Sequence, residues 1–397
     1  MSEWSTRRLG DLIGIKHGYA FKGEFFSEDC PGPILLTPGN FAVGGGFKQA
    51  KPKYYLGQIP EEFRLNAGDL VITMTDLSKG GDTLGYPAII PPDGEYLHNQ
   101  RIGLVSISSA NEIDENFLFY ALRIPDYRQH VLAGATGSTV RHTSPRRIAE
   151  YELSIPGLDE QKSIAAVLCA LDDKIAVNGR IVRACDELRT VRLARWIQAH
   201  PESGEERPLS SMADFVNGRA FTKDASGTGR MVIRIAEINS GPGGSTIYND
   251  IEVPEAHLAH AGDVLFAWSG SLAVTRWFRA EGIINQHIFK VIPRADIPAW
   301  LIFELVKSKM SMFKGIAADK ATTMGHIQRR HLDEAVLAPL PQFVPELDTA
   351  LGPLWGRALV AEQESLKLAE LRDTLLPRLM SGEIRVREAE KVVEEAV

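Results

Sequence analysis

The feature that most constrains this 397-residue chain is that its sequence is written twice, each copy a globular segment followed by a heptad-patterned helix. Leu9, Gly18, Ala20 and Phe21 recur as Leu209, Gly218, Ala220 and Phe221, a shift of 200. Ala67-Gly68-Asp69 answers to Ala261-Gly262-Asp263 at 194, and Asn99-Gln100 to Asn285-Gln286 at 186. Thr139 and His142 match Thr323 and His326 at 184, and Glu187-Leu188-Arg189 matches Glu370-Leu371-Arg372 at a constant 183. A shrinking offset is the signature of two diverged copies that differ by loop deletions. Where the offset stops changing, no insertion is tolerated, so that part of each copy reads as one rigid element.

The rigid element has a helical period. Leu168, Leu171, Ile175, Asn178, Val182, Cys185, Arg189, Arg192 and Trp196 are spaced by alternating threes and fours, a heptad stripe. Adding 183 gives Leu351, Leu354, Ala358, Ala361, Ser365, Leu368, Arg372, Leu375 and Leu379, so the second copy keeps the register. Two matching stripes predict that the helices pair with each other. From Leu168 to Trp196 a helix rises roughly 42 Å at about 1.5 Å per residue, about 12 base pairs of duplex. Asn178-Gly179, Gly352-Pro353 and Pro377 interrupt the pattern, and glycine or proline inside a helix is costly. The second helix is therefore expected to be cleanest from Trp355 to Leu376.

The globular segments alternate β-rich stretches, such as Leu70 to Met74, Gly103 to Ile107, Val264 to Trp268 and Ile288 to Ile292, with glycine-rich loops, and end in helical runs at Glu115 to Arg123 and Pro298 to Lys309. This is a mixed α+β pattern. The Ala-Gly-Asp repeats read as tight turns feeding a buried strand, and the Asn-Gln repeats as amides closing buried backbone groups, although amides also suit adenine edges.

Composition bounds the partners. At 44% hydrophobic content the chain can bury more than one core, yet no apolar run reaches membrane-spanning length and the N-terminus carries no signal peptide, so a cytoplasmic protein is expected. Cys30, Cys169 and Cys185 form no CxxC or paired framework and read as reduced packing residues. The net charge of -7 hides an uneven distribution: residues 207–342 carry 15 basic and 13 acidic side chains, residues 343–397 carry 7 and 11. Contact with phosphate must come from local basic clusters. The best are the loop before each long helix. Gly137 to Arg147 packs Ser138, Thr139, Arg141, His142, Arg146 and Arg147 together; Lys320 to His331 repeats it with Lys320, Thr322, Thr323, His326, Arg329 and Arg330. Short hydroxyls and arginines suit phosphate oxygens and guanine edges. Lys79, in the glycine-rich loop that follows a core strand, is a further candidate.

Several fragments carry a family resemblance: Gly137-Ser138-Thr139; Ile155 to Ala165 with its Glu160-Gln161-Lys162; Leu171-Asp172-Asp173-Lys174-Ile175 with Asn178; and Leu375 to Ile384. Together they resemble the specificity subunit of type I restriction-modification systems over nearly the whole chain. The resemblance implies an α+β protein of two target-recognition domains, residues 1–156 and 207–340, spaced by helices at 157–200 and 341–382 that pair as an antiparallel coiled coil, with a charged tail at 383–397. It implies a subunit that binds double-stranded DNA and docks two methyltransferase subunits and restriction-translocation subunits. The second copy departs at Pro341 to Glu346, which lacks the Glu-Gln-Lys signature.

No catalytic, cofactor or metal site is expected. The chain lacks Asn-Pro-Pro-Tyr, a GxxxxGK[ST] loop and His-Glu-x-x-His, and His257 with His260 and Glu255 has no further ligand at useful spacing. The expectation is a non-catalytic DNA-recognition subunit for a two-part site. The competing reading is a coiled-coil scaffold for protein partners, with a self-sufficient endonuclease or methyltransferase third.

Overall fold

The computed structural model describes residues 4–29, 31–78, 80–137, 140–294, 296–318 and 325–396. Two compact units form, Met1–Asp173 with Ala369–Val397 and Lys174–Leu368. The division falls inside both long helices, Leu158–Ala199 of 42 residues and Val344–Met380 of 37. Each unit therefore owns one globular segment, part of its own helix and part of the other copy's.

In the first unit a central antiparallel sheet runs in the order Ile13–His17, Ile102–Ile107, Leu70–Thr73, Pro87–Ile89. All four residues of Leu70–Thr73 are buried, as an apolar run between two neighbours requires. Gly68 ahead of it has φ +91°, open to glycine at little cost. A second sheet, of five two-residue strands, contains one parallel pair, Ile34–Leu35 with Tyr96–Leu97. The ribbon Ser5–Arg8 with Glu152–Ile155 brings the start and end of the globular segment together.

The second unit repeats this plan. Its central sheet is Ala213–Asn217, Ile288–Pro293, Val264–Ala267, Ala273–Arg276. Gly262 turns at φ +98°, and the parallel pair is Arg230–Ile233 with Gly282–Ile284. Gly204–Pro208 with Ala335–Pro339 makes the closing ribbon. Glu115–Ala121 and Ala299–Ser308 are the expected terminal helices, the former capped by the Asp114 carboxylate accepting from Phe117 N–H.

Within each unit the two long helices pack antiparallel. In the first, Arg372 Nη1 donates to Asp172 Oδ1 at 2.5 Å, and the other Asp172 oxygen accepts from Tyr120 Oη at 2.8 Å and Arg123 Nη1 at 3.1 Å. At the second unit's equivalents, displaced by 183 residues, the salt bridge has become an aromatic sandwich. The Arg189 guanidinium sits 5.0 Å from the ring of Trp355, where the first unit has Asp172, and 5.5 Å from that of Phe303, where it has Tyr120. Its counterion is Glu304, whose Oε1 accepts from Arg189 Nε at 2.9 Å.

The buried stripe follows the expected register at Leu168, Leu171, Asn178, Cys185 and Arg189, and at Leu351, Ala358, Ala361, Leu368, Leu375 and Leu379. It slips by one beyond Arg189: Arg192 is exposed and Leu193 is buried in the second unit's core. The expected interruptions do not interrupt. Asn178 is wholly buried and donates from Nδ2 to Glu364 Oε2 at 2.9 Å, so its amide serves the helix pair and not a turn. Pro353 faces solvent between the buried Leu351 and Trp355, and Pro377 lies among Leu375, Leu376, Leu379 and Met380. Apolar burial there outweighs about 3 kcal/mol of proline penalty. The C-terminal tail is likewise not a bare charge run, since Val386–Ala396 is helical with Ala389 buried.

The Glu-Gln-Lys signature has a structural job. Gln161 is wholly buried; its Oε1 accepts from Asp114 N–H at 2.9 Å, and its Nε2 donates to Glu112 O and Pro156 O, both at 2.8 Å. That clamp ties the first helix to its globular segment. Val344, 183 positions on and 6% exposed, fills the same place by apolar burial. Among the described helices none is long and apolar enough to cross a membrane. Cys169 and Cys185 are free thiols, and Cys30 lies outside the described residues.

Candidate nucleic-acid interface

Two glycines set up the candidate site. A Cβ on Gly18 would lie 2.1 Å from Asn99 O, and one on Gly218 would lie 2.1 Å from Asn285 O. Only glycine permits that approach. In the first unit the close contact begins a string of main-chain hydrogen bonds: Tyr19 N–H to His98 O, Gln100 N–H to Tyr19 O, Met74 N–H to Arg101 O, and Thr143 N–H to Met74 O. The string joins four segments far apart in sequence, at Tyr19, Met74, His98 to Arg101 and Thr143, into one rim.

The rim carries Arg141 and His142 of the first copy's described candidates. Thr75–Asp76 pairs antiparallel with Arg141–His142, so the glycine-rich loop after the core strand lies beside the basic loop before the helix. His142 is exposed, with Nδ1 3.2 Å from Thr75 Oγ1. Asp76 is buried; its Oδ1 accepts from Ser78 N–H at 2.5 Å, and its Oδ2 accepts from Thr83 Oγ1 at 2.6 Å and from Thr83 N–H. Burial alone would raise the Asp76 carboxyl, but the bonds from Thr83 and Ser78 hold it below the usual carboxylate range. It stays charged and staples the loop on which Lys79 lies.

The second unit repeats three of these bonds: Gln286 N–H donates to Arg219 O, Trp268 N–H to His287 O and Ile327 N–H to Trp268 O, with Gly270 N–H to Gly325 O beside them. Ser269 and His326 bridge as Thr75 and His142 do. Asn285 Oδ1 accepts from Phe221 N–H at 3.1 Å, which bears out the closing role expected of that amide.

The expected arginines divide. Arg146, its side chain 91% exposed, pairs among the described residues with Glu150, at 3.2 Å from Nε. Arg147 turns inward: Nη2 donates to His130 O at 2.9 Å and the chain lies against Gly134. Its spacing beside Arg146 puts it on the other side of the short helix Pro145–Ala149, where it pins that helix to Pro125–Ala133. Arg329 is exposed but donates from Nη2 to Phe215 O at 3.2 Å, and Arg330 is exposed. Arg141 and His326 are half-buried on the rim. Lys79, Ser138, Thr139, Lys320, Thr322 and Thr323 lie outside the described residues.

Sequence reasoning passed over Tyr19, Arg101, Arg219, Trp268 and His287, which stand on the rim beside the repeated Asn-Gln pair. The signal was present: next to an invariant pair the two copies change side chain. His260 binds Glu281 at 3.0 Å and His257 is buried against Phe221, and among the described residues no group of three potential ligands is gathered for a metal.

Comparisons with known proteins place this architecture. Residues 1–183 match the type I restriction modification DNA specificity domain family. The chain is 29% identical over 168 residues to the type I restriction enzyme EcoBI specificity subunit of Escherichia coli, covering 42% of this chain and 32% of that one. It is 25% identical over 178 residues to the MjaVIII specificity subunit of Methanocaldococcus jannaschii, covering 44% and 41%. The chain thus spans about a third to two-fifths of the length of these relatives. Among solved structures, a type I restriction-modification S subunit from M. genitalium superposes with a TM-score of 0.57 at 15% identity, covering 95% of this chain and 96% of that one. At that identity the likeness is one of fold.

Proposed function

We propose that the chain belongs to the type I restriction modification DNA specificity family, whose model residues 1–183 match, and that it is a non-catalytic subunit that recognises a two-part sequence in double-stranded DNA. In this reading each unit reads one half-site with its rim, and the helices set the interval between half-sites. The subunit directs two methyltransferase subunits and the restriction-translocation subunits to that site, in the cytoplasm. The observation that carries the reading is that one rim is built twice on matching main-chain hydrogen bonds and bridges but with different side chains, Thr75 and Arg101 in one unit, Ser269 and His287 in the other. A scaffold would have no use for variable side chains on a constant frame. Base reading requires them.

The exposed candidates Arg146, Arg329, Arg330 and His142 are assigned to phosphate or base edges, and Lys79, Ser138, Thr139, Lys320, Thr322 and Thr323, which lie outside the described residues, are assigned the same role on their sequence alone. A chain of net charge -7 cannot bind a polyanion strongly alone, so the methyltransferase subunits share the electrostatic work. The test is a footprint of the chain assembled with its methyltransferase subunits. Two protected stretches separated by an accessible gap, with affinity falling steeply with salt, are expected. One continuous stretch, or binding indifferent to salt and sequence, overturns the reading.

A further inference from the structure

His287 occupies an unusual backbone position. Its φ is +74°, and among the described residues only Asp224 shares the left-handed region without being glycine. Histidine tolerates it better than most side chains, but it remains uncommon outside glycine. Here Trp268 N–H donates to His287 O, Asn285 N–H to Ile233 O, and Gly218 N–H to Ile288 O, so the chain is fixed at and beside His287. The equivalent turn in the first unit carries Arg101, which stays outside that region. The second unit thus spends conformational energy to hold one imidazole at a chosen point of the rim.

The side-chain surroundings are equally specific. The Trp268 indole is locked by Nε1 donating to Asn217 Oδ1 at 2.7 Å, and its ring lies 5.2 Å from His287, 5.7 Å from Phe289 and 6.3 Å from His326. His287 Nδ1 is buried with no hydrogen-bond partner among the described residues, and the residue as a whole is half-buried. A proton there would be a stranded donor, so the neutral ring carries its proton on Nε2, the nitrogen left for a ligand. An imidazole held on a fixed backbone beside a locked indole, its ring tilted 53° to that indole, is a directional hydrogen-bond donor through its remaining N–H.

We propose that His287, braced by Trp268, reads one base pair of the second half-site by donating from Nε2 to an acceptor on a base edge, a purine N7 or guanine O6. A cytosine edge, which offers only a donor in the major groove, is rejected there. This rests on the two-part DNA reading above and adds the residue and the chemistry that discriminate in one half.

The test uses the full chain assembled with its methyltransferase subunits and duplexes in which each position of both half-sites carries each base pair in turn. His287→Gly keeps the left-handed backbone and removes the ring. It is expected to lose tenfold or more of the discrimination at one position of the second half-site, leaving the others and the first half-site unchanged. His287→Asn, which tolerates the same φ and offers an amide, is expected to move preference at that position towards adenine. Unchanged discrimination in His287→Gly, or a uniform loss at every position, overturns the proposal while leaving two-part recognition standing. Wild-type complex that prefers no two-part duplex overturns both.

Discussion

The docking of the helix pair onto the second globular segment hangs on Arg189, and its replacement by Met tests that reasoning. Arg189 is wholly buried and Glu304 is 4% exposed, with Nε to Oε1 at 2.9 Å. Arg189 Nη1 lies 2.8 Å from Asp186 Oδ1. Arg189→Met keeps volume against Trp355 and Phe303 but leaves Glu304 with Thr190 Oγ1 at 2.8 Å and Lys307 Nζ at 3.9 Å. Stranding one member of a buried pair costs about 3–5 kcal/mol. For a unit of this size each kcal/mol is worth about 2–4 °C, so the transition should fall by ~6–12 °C at the lower bound. Arg189→Met with Glu304→Leu removes both charges and should return within about 1 kcal/mol of wild type, because apolar replacement of a buried pair is often neutral. Urea titration and thermal melts followed by circular dichroism read both numbers. A single variant within 1 kcal/mol of wild type, or a double variant as unstable as the single, refutes the account.

Burial alone would lift the Asp172 carboxyl, but Arg372 and Arg123 hold it below the usual range. Its contribution is therefore present above the unfolded value near ~3.9 and is lost as pH falls through the lower folded value. Asp172→Asn should flatten that acid limb in a titration from pH 5 to 2, and should cost about 2–3 kcal/mol at neutral pH by stranding Arg123. Gly218→Ala places a Cβ 2.1 Å from Asn285 O; hydrogen exchange at 285–288 should accelerate, at a cost of at least ~2 kcal/mol, with the first unit's amides unchanged. Arg146→Ala should leave stability within about 0.5 kcal/mol yet weaken DNA binding evenly across sequences and lower the salt slope by about 1. Arg147→Ala should instead destabilise by ~1–2 kcal/mol through the lost bond to His130 O, read in the same melts.

What was legible in the sequence was what the backbone dictates. Gly18 and Gly218 recur because a main-chain carbonyl occupies the space of a side chain, and such a constraint survives divergence. The heptad stripe survived for the same reason, down to Asn178 and Arg189, polar residues whose partners across the pair are now visible. The proline positions misled because a local penalty is visible in sequence and the burial that outweighs it is not. Arg147 looked like Arg146 because neighbouring charges on a short helix do not disclose which one faces inward. The helical tail was legible in principle, as Val386, Ala389 and Val393 keep helical spacing inside the charge run. Trp268 and His287 left only the signal that side chains change beside the repeated Asn-Gln pair, because their placement depends on a string of hydrogen bonds between segments with no sequence proximity.

The proposal that the helix pair sets the interval between two half-sites is tested most directly by inserting one matched helical turn into both helices, near Asn178 and Ala361, and sequencing methylated bases in a host that carries the subunit with its methyltransferase. Both half-site sequences should be retained while the number of unspecified bases between them changes. An unchanged interval, or a motif with no interval at all, would contradict the account.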